Sequence, residues 1–309
     1  MALTTASMLP TETASAPTAA PLSGPQLSPD LQKAIAKVTE ISSLPEVTTK
    51  IIAVVENPKS TAQDMHDIVK NDPALAAKVL KVVNSAFYGL PTQISSLDRA
   101  IVMLGLSAVK NLAMAASLAR MFKPGQLSEN FDARDLWTHC VAVGTCARLL
   151  AEQAGGQAED AFVGGMVHDM GLLIEYQLFP EKLKEVVQRV EADKTLDFCT
   201  VERELIGADH QAFGNHMATK WKFPPGLRAC IAFHHGTDGF KIDHKRVVGL
   251  VRLADMICCQ NELGFYLTAC AGEVTADMLS ELGLSEDQVG SVIEIMPERL
   301  EEAQAIFKD

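Results

Sequence analysis

Six of the eight histidines in this 309-residue chain lie between residues 139 and 235. His139 lies near the start of a long apolar segment, His210 follows Ala-Asp, and His234 and His235 are adjacent. Imidazole changes its charge close to neutral pH and is a common ligand of divalent metal ions. Helices that face one another can gather such side chains into a single core site. The histidines therefore indicate a buried metal site.

Two carboxylates strengthen this interpretation. Asp169 directly follows His168 within Gly-Met-Val-His-Asp-Met-Gly, and Asp255 interrupts an otherwise apolar helical segment. Neighbouring side chains on a helix point about 100° apart, so His168 and Asp169 reach one site only if it lies between them, or if two ions are bound. Burying these groups without partners would be costly. The order His139, His168-Asp169, Asp255 therefore favours metal binding.

Less specific interpretations remain open for individual residues. His139 or His210 alone would be typical of a hydrogen-bonded core histidine, and the two aspartates could cap helices or pair with Arg252. Three further histidines are expected outside any site: a solvated one in an early helix and two surface or packing residues. These are His66, His216 and His244.

Composition excludes several classes of function. The chain is 48% hydrophobic and 21% charged, so it can bury a core, and its formal charge of −12 disfavours nucleic acid and anionic membranes as partners. The seven cysteines form no CxxC pair, which favours reduced core thiols. We find no secretory signal and no apolar run of about 18 residues that would span a membrane. A soluble, cytoplasmic protein is expected.

Apolar periodicity predicts an all-α fold. Residues 1–29, rich in Thr, Ala, Ser and Pro, are expected to form a disordered leader. Residues 30–270 then divide at a polar connection after Pro124-Gly125 into an N-terminal helical lobe, 30–122, and a second helical lobe, 131–270. Residues 271–309 carry ten acidic and two basic residues and predict an acidic helical extension, either packed on the body or available to a partner.

Longer motifs resemble the HDOD (HD-related output domain) family of bacterial signalling proteins, which is related to the HD and HD-GYP phosphohydrolases. The resemblance covers roughly residues 35–265. It is carried by Asp72-Pro73-Ala74-Leu75, Val83-Asn84-Ser85, Ile94-Ser95-Ser96-Leu97, Gly165-Met166-Val167-His168-Asp169, Glu202-Arg203-Glu204-Leu205, His210, Trp221, Pro224 and His234-His235.

The resemblance implies a two-lobed helical architecture with an HD-like bundle in the second lobe, and a set of metal ligands. Seven residues stand where the related HD-GYP phosphodiesterases place such ligands: His139, His168, Asp169, His210, His234, His235 and Asp255. One or two divalent ions, of iron, manganese, nickel or zinc, are the implied cofactors.

Two departures from those enzymes concern catalysis. Leu172 occupies the position of a lysine in their His-Asp-x-Gly-Lys motif, and no Gly-Tyr-Pro follows His235. A missing lysine removes a cation that would stabilise developing negative charge on a phosphodiester. The resemblance therefore implies a regulatory, non-catalytic module that binds signalling proteins or a nucleotide second messenger.

The alternative is a metal-dependent phosphohydrolase or cyclic-dinucleotide phosphodiesterase. His139, His168, Asp169 and Asp255 would then hold one ion and His210, His234 and His235 a second, with Asp169 bridging the two as the catalytic carboxylate. Lys241, Lys245 and Arg246 would offer phosphate contacts, although such a charge run is also typical of a solvated face.

Overall fold

The computed structural model describes residues 24–37, 45–85, 92–118, 126–128, 131–236 and 244–307. These residues form an all-α fold, as predicted, with one short antiparallel pair of strands, β1 (Gln126–Ser128) and β2 (Phe131–Asp132), within the predicted polar connection. Among the described helices none is both long and apolar enough to cross a membrane.

Six helices precede the strands. They are α1 (Pro29–Lys37), α2 (Glu46–Glu56), α3 (Ala62–Val69), α4 (Pro73–Val83), α5 (Leu97–Leu104) and α6 (Leu106–Leu118). Helices α2 to α6 pack on one another, whereas α1 packs against α9 (Met170–Leu178), a helix of the second predicted lobe. The lobe boundaries, 30–122 and 131–270, stay a prediction.

Ten helices follow the strands. They are α7 (Ala133–Gln153), α8 (Ala158–Val167), α9 (Met170–Leu178), α10 (Pro180–Ala192), α11 (Phe198–Leu205), α12 (His210–Lys220), α13 (Pro225–Phe233), α14 (Lys245–Gln260), α15 (Ala276–Leu282) and α16 (Glu286–Phe307). Helix α6 packs on α8, and one cluster of buried apolar side chains runs through both lobes.

Local sequence explains several helix starts. Asp72 caps α4, where its carboxylate accepts the Leu75 amide at 2.9 Å, and Ser285 caps α16 by accepting the Gln288 amide. Thr61 caps α3 in a capping box with Asp64, while the hydroxyl of the preceding Ser60 donates to carbonyls of the turn before it.

The predicted leader lies mostly outside the described residues. Its last part is packed: Leu27 is buried, and the Asn215 side chain donates to the Pro25 carbonyl at 3.0 Å. The described residues 24–29 therefore differ from the predicted disordered leader, because Leu27 lies in the hydrophobic core and the Pro25 carbonyl has a partner on α12.

The acidic extension is packed on the body. Val289, Val292 and Met296 of α16 are buried, and the helix contacts both α7 and α4. Ile293, which follows Val292 directly, is exposed although it is apolar. Arg246 holds this region as well, since its guanidinium donates to the carbonyls of Ala154 and Leu282.

Candidate metal centre

The structure brings the seven predicted residues into one cluster, here called the His/Asp centre. Five helical segments supply them: α7 carries His139, the junction of α8 and α9 carries His168 and Asp169, and α12 begins with His210. His234 and His235 directly follow α13, and Asp255 lies within α14.

Glycines allow these helices to approach. A Cβ atom on Gly165 would lie 2.7 Å from the Gly144 backbone, so α7 and α8 cross in direct contact just before His168. A Cβ on Gly171 would lie 1.9 Å from the His210 carbonyl oxygen, so α9 meets the start of α12 at that residue. The close helix contacts at Gly165 and Gly171 therefore bring α7, α8, α9 and α12 together at the His/Asp centre.

Asp169 lies in the middle of the His/Asp centre. Its Oδ2 faces Nε2 of His168 at 3.3 Å and Nε2 of His139 at 3.7 Å. Its Oδ1 faces Nε2 of His210 and of His234, both at 3.3 Å. One carboxylate thus faces two different histidine pairs, one with each oxygen.

Two groups of possible metal donors share this carboxylate, and they define two subsites. The first subsite contains His139, His168, Asp169 and Asp255, with Asp255 Oδ1 3.1 Å from His139 Nε2. The second subsite contains Asp169, His210, His234 and His235, whose donor atoms lie within 4.8 Å of one another.

The far nitrogens of four histidines are held from outside the His/Asp centre. Nδ1 of His139 contacts the Leu263 carbonyl at 3.1 Å, that of His168 the Gly165 carbonyl at 2.7 Å, and that of His234 the Cys230 carbonyl at 2.9 Å. Nδ1 of His210 lies 2.8 Å from a Glu202 oxygen. Because Nδ1–H donates to these acceptors, the lone pair of each Nε2 points inward, as in histidines that bind metal.

Unpartnered buried atoms test whether a cation fits. His168 Nε2, both oxygens of Asp169 and Asp255 Oδ2 are buried without a hydrogen-bond partner. The Nε2 atoms of His210 and His235 lie 2.9 Å apart, and those of His210 and His234 3.1 Å apart. Inward lone pairs and unpartnered carboxylate oxygens at these distances fit one or two divalent cations.

Protonation preferences agree with this fit. Burial would raise the pKa of Asp169 and of Asp255, but the surrounding histidines outweigh it and hold both pKa values well below the ordinary range. Burial lowers the pKa of His234, and burial together with His234 and His210 lowers that of His235 well below its usual value. Ionised carboxylates and neutral imidazoles are the forms that bind metal.

The pKa of His168 shifts in the opposite direction from those of His234 and His235. Burial disfavours its charged form, but the carboxylates of Asp169 and Asp255 outweigh burial and raise its pKa. The carboxylates of the first subsite therefore favour the protonated form of His168, and a metal ion would have to compete with a proton there.

Two glutamates behind His210 were not predicted as part of the site. Glu202 accepts from both Nδ1 and the backbone N–H of His210, and Glu175 of α9 lies against Glu202. Burial raises the pKa of both carboxyls well above the ordinary value, and the nearby Glu202 carboxylate raises that of Glu175 further. A lone carboxylate within the apolar segment of α9 was the available signal, the same one that identified Asp255.

The remaining candidates lie elsewhere. His66 contacts Asp98 in the first lobe, His216 lies half-buried on α12, and His244 precedes α14, each outside the His/Asp centre. Asp255 faces His139 and not Arg252. Of the proposed phosphate contacts, Lys245 is exposed, Arg246 contacts backbone carbonyls of α7 and α15, and Lys241 lies outside the described residues.

The His/Asp centre is closed within the described part of the chain. The side chains of six members are at most 1% exposed, and His235 is the exception at 13%. Leu172, at the position of the lysine in the related enzymes, is fully buried in the hydrophobic core.

Comparisons with known proteins agree with this architecture. The HDOD domain family matches residues 41–237. A candidate signal transduction protein of Marinobacter aquaeolei VT8 is 26% identical with a TM-score of 0.69, covering 90% of this chain and 64% of that one. A candidate phosphohydrolase of Shewanella amazonensis SB2B is 24% identical with a TM-score of 0.69, covering 91% and 99%.

A curated relative from Treponema pallidum (strain Nichols), itself an uncharacterised protein, is 25% identical over 222 residues. That match covers 71% of this chain and 42% of the relative, so this chain spans less than half of the relative's length. The fold and the His/Asp centre define an HD-like helical module. The chain belongs to the HDOD family.

Proposed function

We propose that this chain is a signalling module whose His/Asp centre holds one or two divalent metal ions and which acts by binding, without turnover. The observation that carries the proposal is the set of buried, unpartnered atoms around Asp169. Without a cation, these atoms are desolvated and uncompensated. The first and second subsites are the residues that would hold the ions.

Two features support binding over catalysis. A substrate phosphate would have to reach side chains that are at most 1% exposed, past His235. The position that supplies a lysine in the related enzymes carries Leu172, whose side chain lies in the core and presents no cation. We expect the binding partner, a signalling protein or a nucleotide second messenger, to bind at the protein surface, while the buried His/Asp centre stabilises the fold.

Metal content tests the proposal. We expect protein purified without added metal to carry one or two ions of iron, manganese, nickel or zinc per chain by elemental analysis. His168→Ala combined with Asp169→Ala removes two donors of the first subsite, one of which, Asp169, is shared with the second, and should abolish occupancy. His66→Ala, in the first lobe, is the matched control and should retain it. Equally low metal in wild type and double variant would overturn the proposal.

The alternative function, a metal-dependent phosphohydrolase, is favoured by the arrangement of Asp169, whose two oxygens face the two subsites. Two neighbouring divalent ions supply charge that polarises phosphoryl oxygens. Hydrolysis of cyclic dinucleotides and of phosphomonoesters should be assayed with Mn²⁺, Fe²⁺ and Ni²⁺. Turnover by wild type that is lost in Asp169→Asn would establish this alternative, whereas metal-loaded protein without turnover supports the binding module.

A further inference from the structure

Among the described residues, Cys259 is the one thiol whose sulfur lies close enough to donors of the first subsite to bind the same metal ion. It lies one helical turn after Asp255 on α14, and its residue is 2% exposed. Its Sγ lies 3.4 Å from Asp255 Oδ1, the same oxygen that is 3.1 Å from His139 Nε2. The donor atoms of His139, Asp255 and Cys259 all lie within 4.8 Å of one another.

These separations suit a single ion. Zinc binds thiolate at about 2.3 Å and imidazole or carboxylate at about 2.0–2.2 Å, so ligand atoms of a tetrahedral site lie roughly 3.5 Å apart. The sulfur–oxygen and nitrogen–oxygen distances of 3.4 and 3.1 Å are close to that value. The other oxygen of Asp255, Oδ2, is buried and has no hydrogen-bond partner, which is a separate indication of a ligand at this end of the His/Asp centre.

In the metal-free protein the Cys259 S–H donates to the Asp255 carboxylate. Thr268 Oγ1 lies 3.7 Å from the same sulfur and holds it in place. An incoming ion would displace the thiol proton to solvent and bind the thiolate.

We propose that Cys259 is a thiolate ligand of the first subsite, so that this subsite takes a thiophilic ion such as zinc, ferrous iron or cobalt in preference to manganese or magnesium. This inference rests on the proposed metal centre. A soft sulfur donor added to imidazole and carboxylate shifts the preference of a site toward these ions.

Cobalt(II) substitution tests it without reference to activity. Wild-type protein loaded with Co²⁺ should show a thiolate-to-cobalt charge-transfer band in the near ultraviolet, in addition to the visible bands of bound cobalt. Cys259→Ser should lose the charge-transfer band and weaken zinc binding by about tenfold or more, with a much smaller change for Mn²⁺. Cys258→Ser is the matched control: that thiol is also buried on α14 but contacts Cys146, and its variant should keep the band.

The outcomes separate the two proposals. Bound cobalt without a charge-transfer band, or a band that survives Cys259→Ser, would overturn the ligand role of Cys259 and leave the metal centre intact. No bound cobalt would overturn both. If Cys259→Ser does not fold, wild type alone decides: zinc should protect Cys259 from alkylation in mild denaturant more than it protects Cys258, as mapped by mass spectrometry, and equal protection would contradict the proposal.

Discussion

At the scale of single residues, the groups that face into the His/Asp centre could be predicted, whereas those that support them could not. Histidines and aspartates within apolar segments are recognisable in one sequence because burying them is costly. Glu202 and the Leu263 carbonyl contact His210 and His139 from other parts of the chain, and Glu175 lies against Glu202. Their roles depend on contacts between distant parts of the chain, which local sequence does not encode.

The raised pKa of the buried Glu175 carboxyl predicts a pH dependence of stability. The folded protein raises the pKa of Glu175 above its ordinary value of 4.5. The contribution of the protonated carboxyl to the free energy of unfolding is therefore fully present below about pH 4.5 and is lost as pH rises through the folded pKa. Glu175→Gln cannot titrate. We therefore expect the free energy of unfolding of wild type, relative to Glu175→Gln, to fall from pH 5 to pH 8 in urea titrations with chelator present.

An exposed glutamate provides the control for this measurement. Glu281→Gln lies on the surface of α15. The free energy of unfolding of wild type relative to this variant should not fall between pH 5 and pH 8. Parallel pH curves for wild type and Glu175→Gln would show that Glu175 does not hold a proton in the folded protein.

At the scale of helices, close crossings form the His/Asp centre and packed faces fix α1 and α16 on the body. Apolar periodicity predicted the all-α fold, and the caps Asp72 and Ser285 explain where α4 and α16 begin. The sequence did not predict which side of α16 is buried: Ile293 and Met296 are both apolar, but only Met296 is buried. The partner helix decides this, and α7 is more than a hundred residues away in sequence.

Gly165→Ala should disrupt the crossing of α7 and α8. The new Cβ would lie 2.7 Å from backbone atoms that cannot move independently, so we expect a loss of stability of about 1–3 kcal/mol and weaker metal binding. Gly290→Ala, in open space on α16, is the control and should be neutral or stabilise by up to about 1 kcal/mol. Denaturant unfolding measures both, and equal effects would contradict a close contact at Gly165.

The packing of α16 gives a second prediction at this scale. Met296→Ala should lower the free energy of unfolding by about 2–5 kcal/mol, because its side chain is 3% exposed. Ile295→Ala is the neighbouring control; at 39% exposure it should change stability by at most about 0.5 kcal/mol. A small effect of Met296→Ala in guanidinium titrations would mean that α16 is held weakly and is free to bind a partner.

At the scale of the whole molecule, the two lobes and the C-terminal helix form one packed body around the His/Asp centre. The sequence predicted two helical lobes, and the HDOD match spans both. It placed α1 with the first lobe, but α1 packs on α9, and α16 contacts helices of both lobes. Contacts between segments that are far apart in the sequence depend on the complete fold, and the periodicity of a single segment does not predict them.

Metal removal should therefore destabilise the entire fold. A ligand present at a hundred times its dissociation constant stabilises the native state by about 2.7 kcal/mol. We expect chelation to lower the Tm of wild type, and readdition of the ion to restore it. The variant with both His168→Ala and Asp169→Ala should show the same Tm with and without chelator. An unchanged Tm for the wild type would argue against an ion bound only to the folded state.

The near-complete burial of the His/Asp centre also has a kinetic consequence. An ion enclosed by side chains that are at most 1% exposed can leave only when neighbouring helices separate. The rate of metal loss is then set by this opening and becomes independent of chelator concentration once the chelator captures every ion released. Such a module would keep its ion during brief metal starvation. The fraction of chains that hold an ion would then reflect the metal concentration at the time of folding.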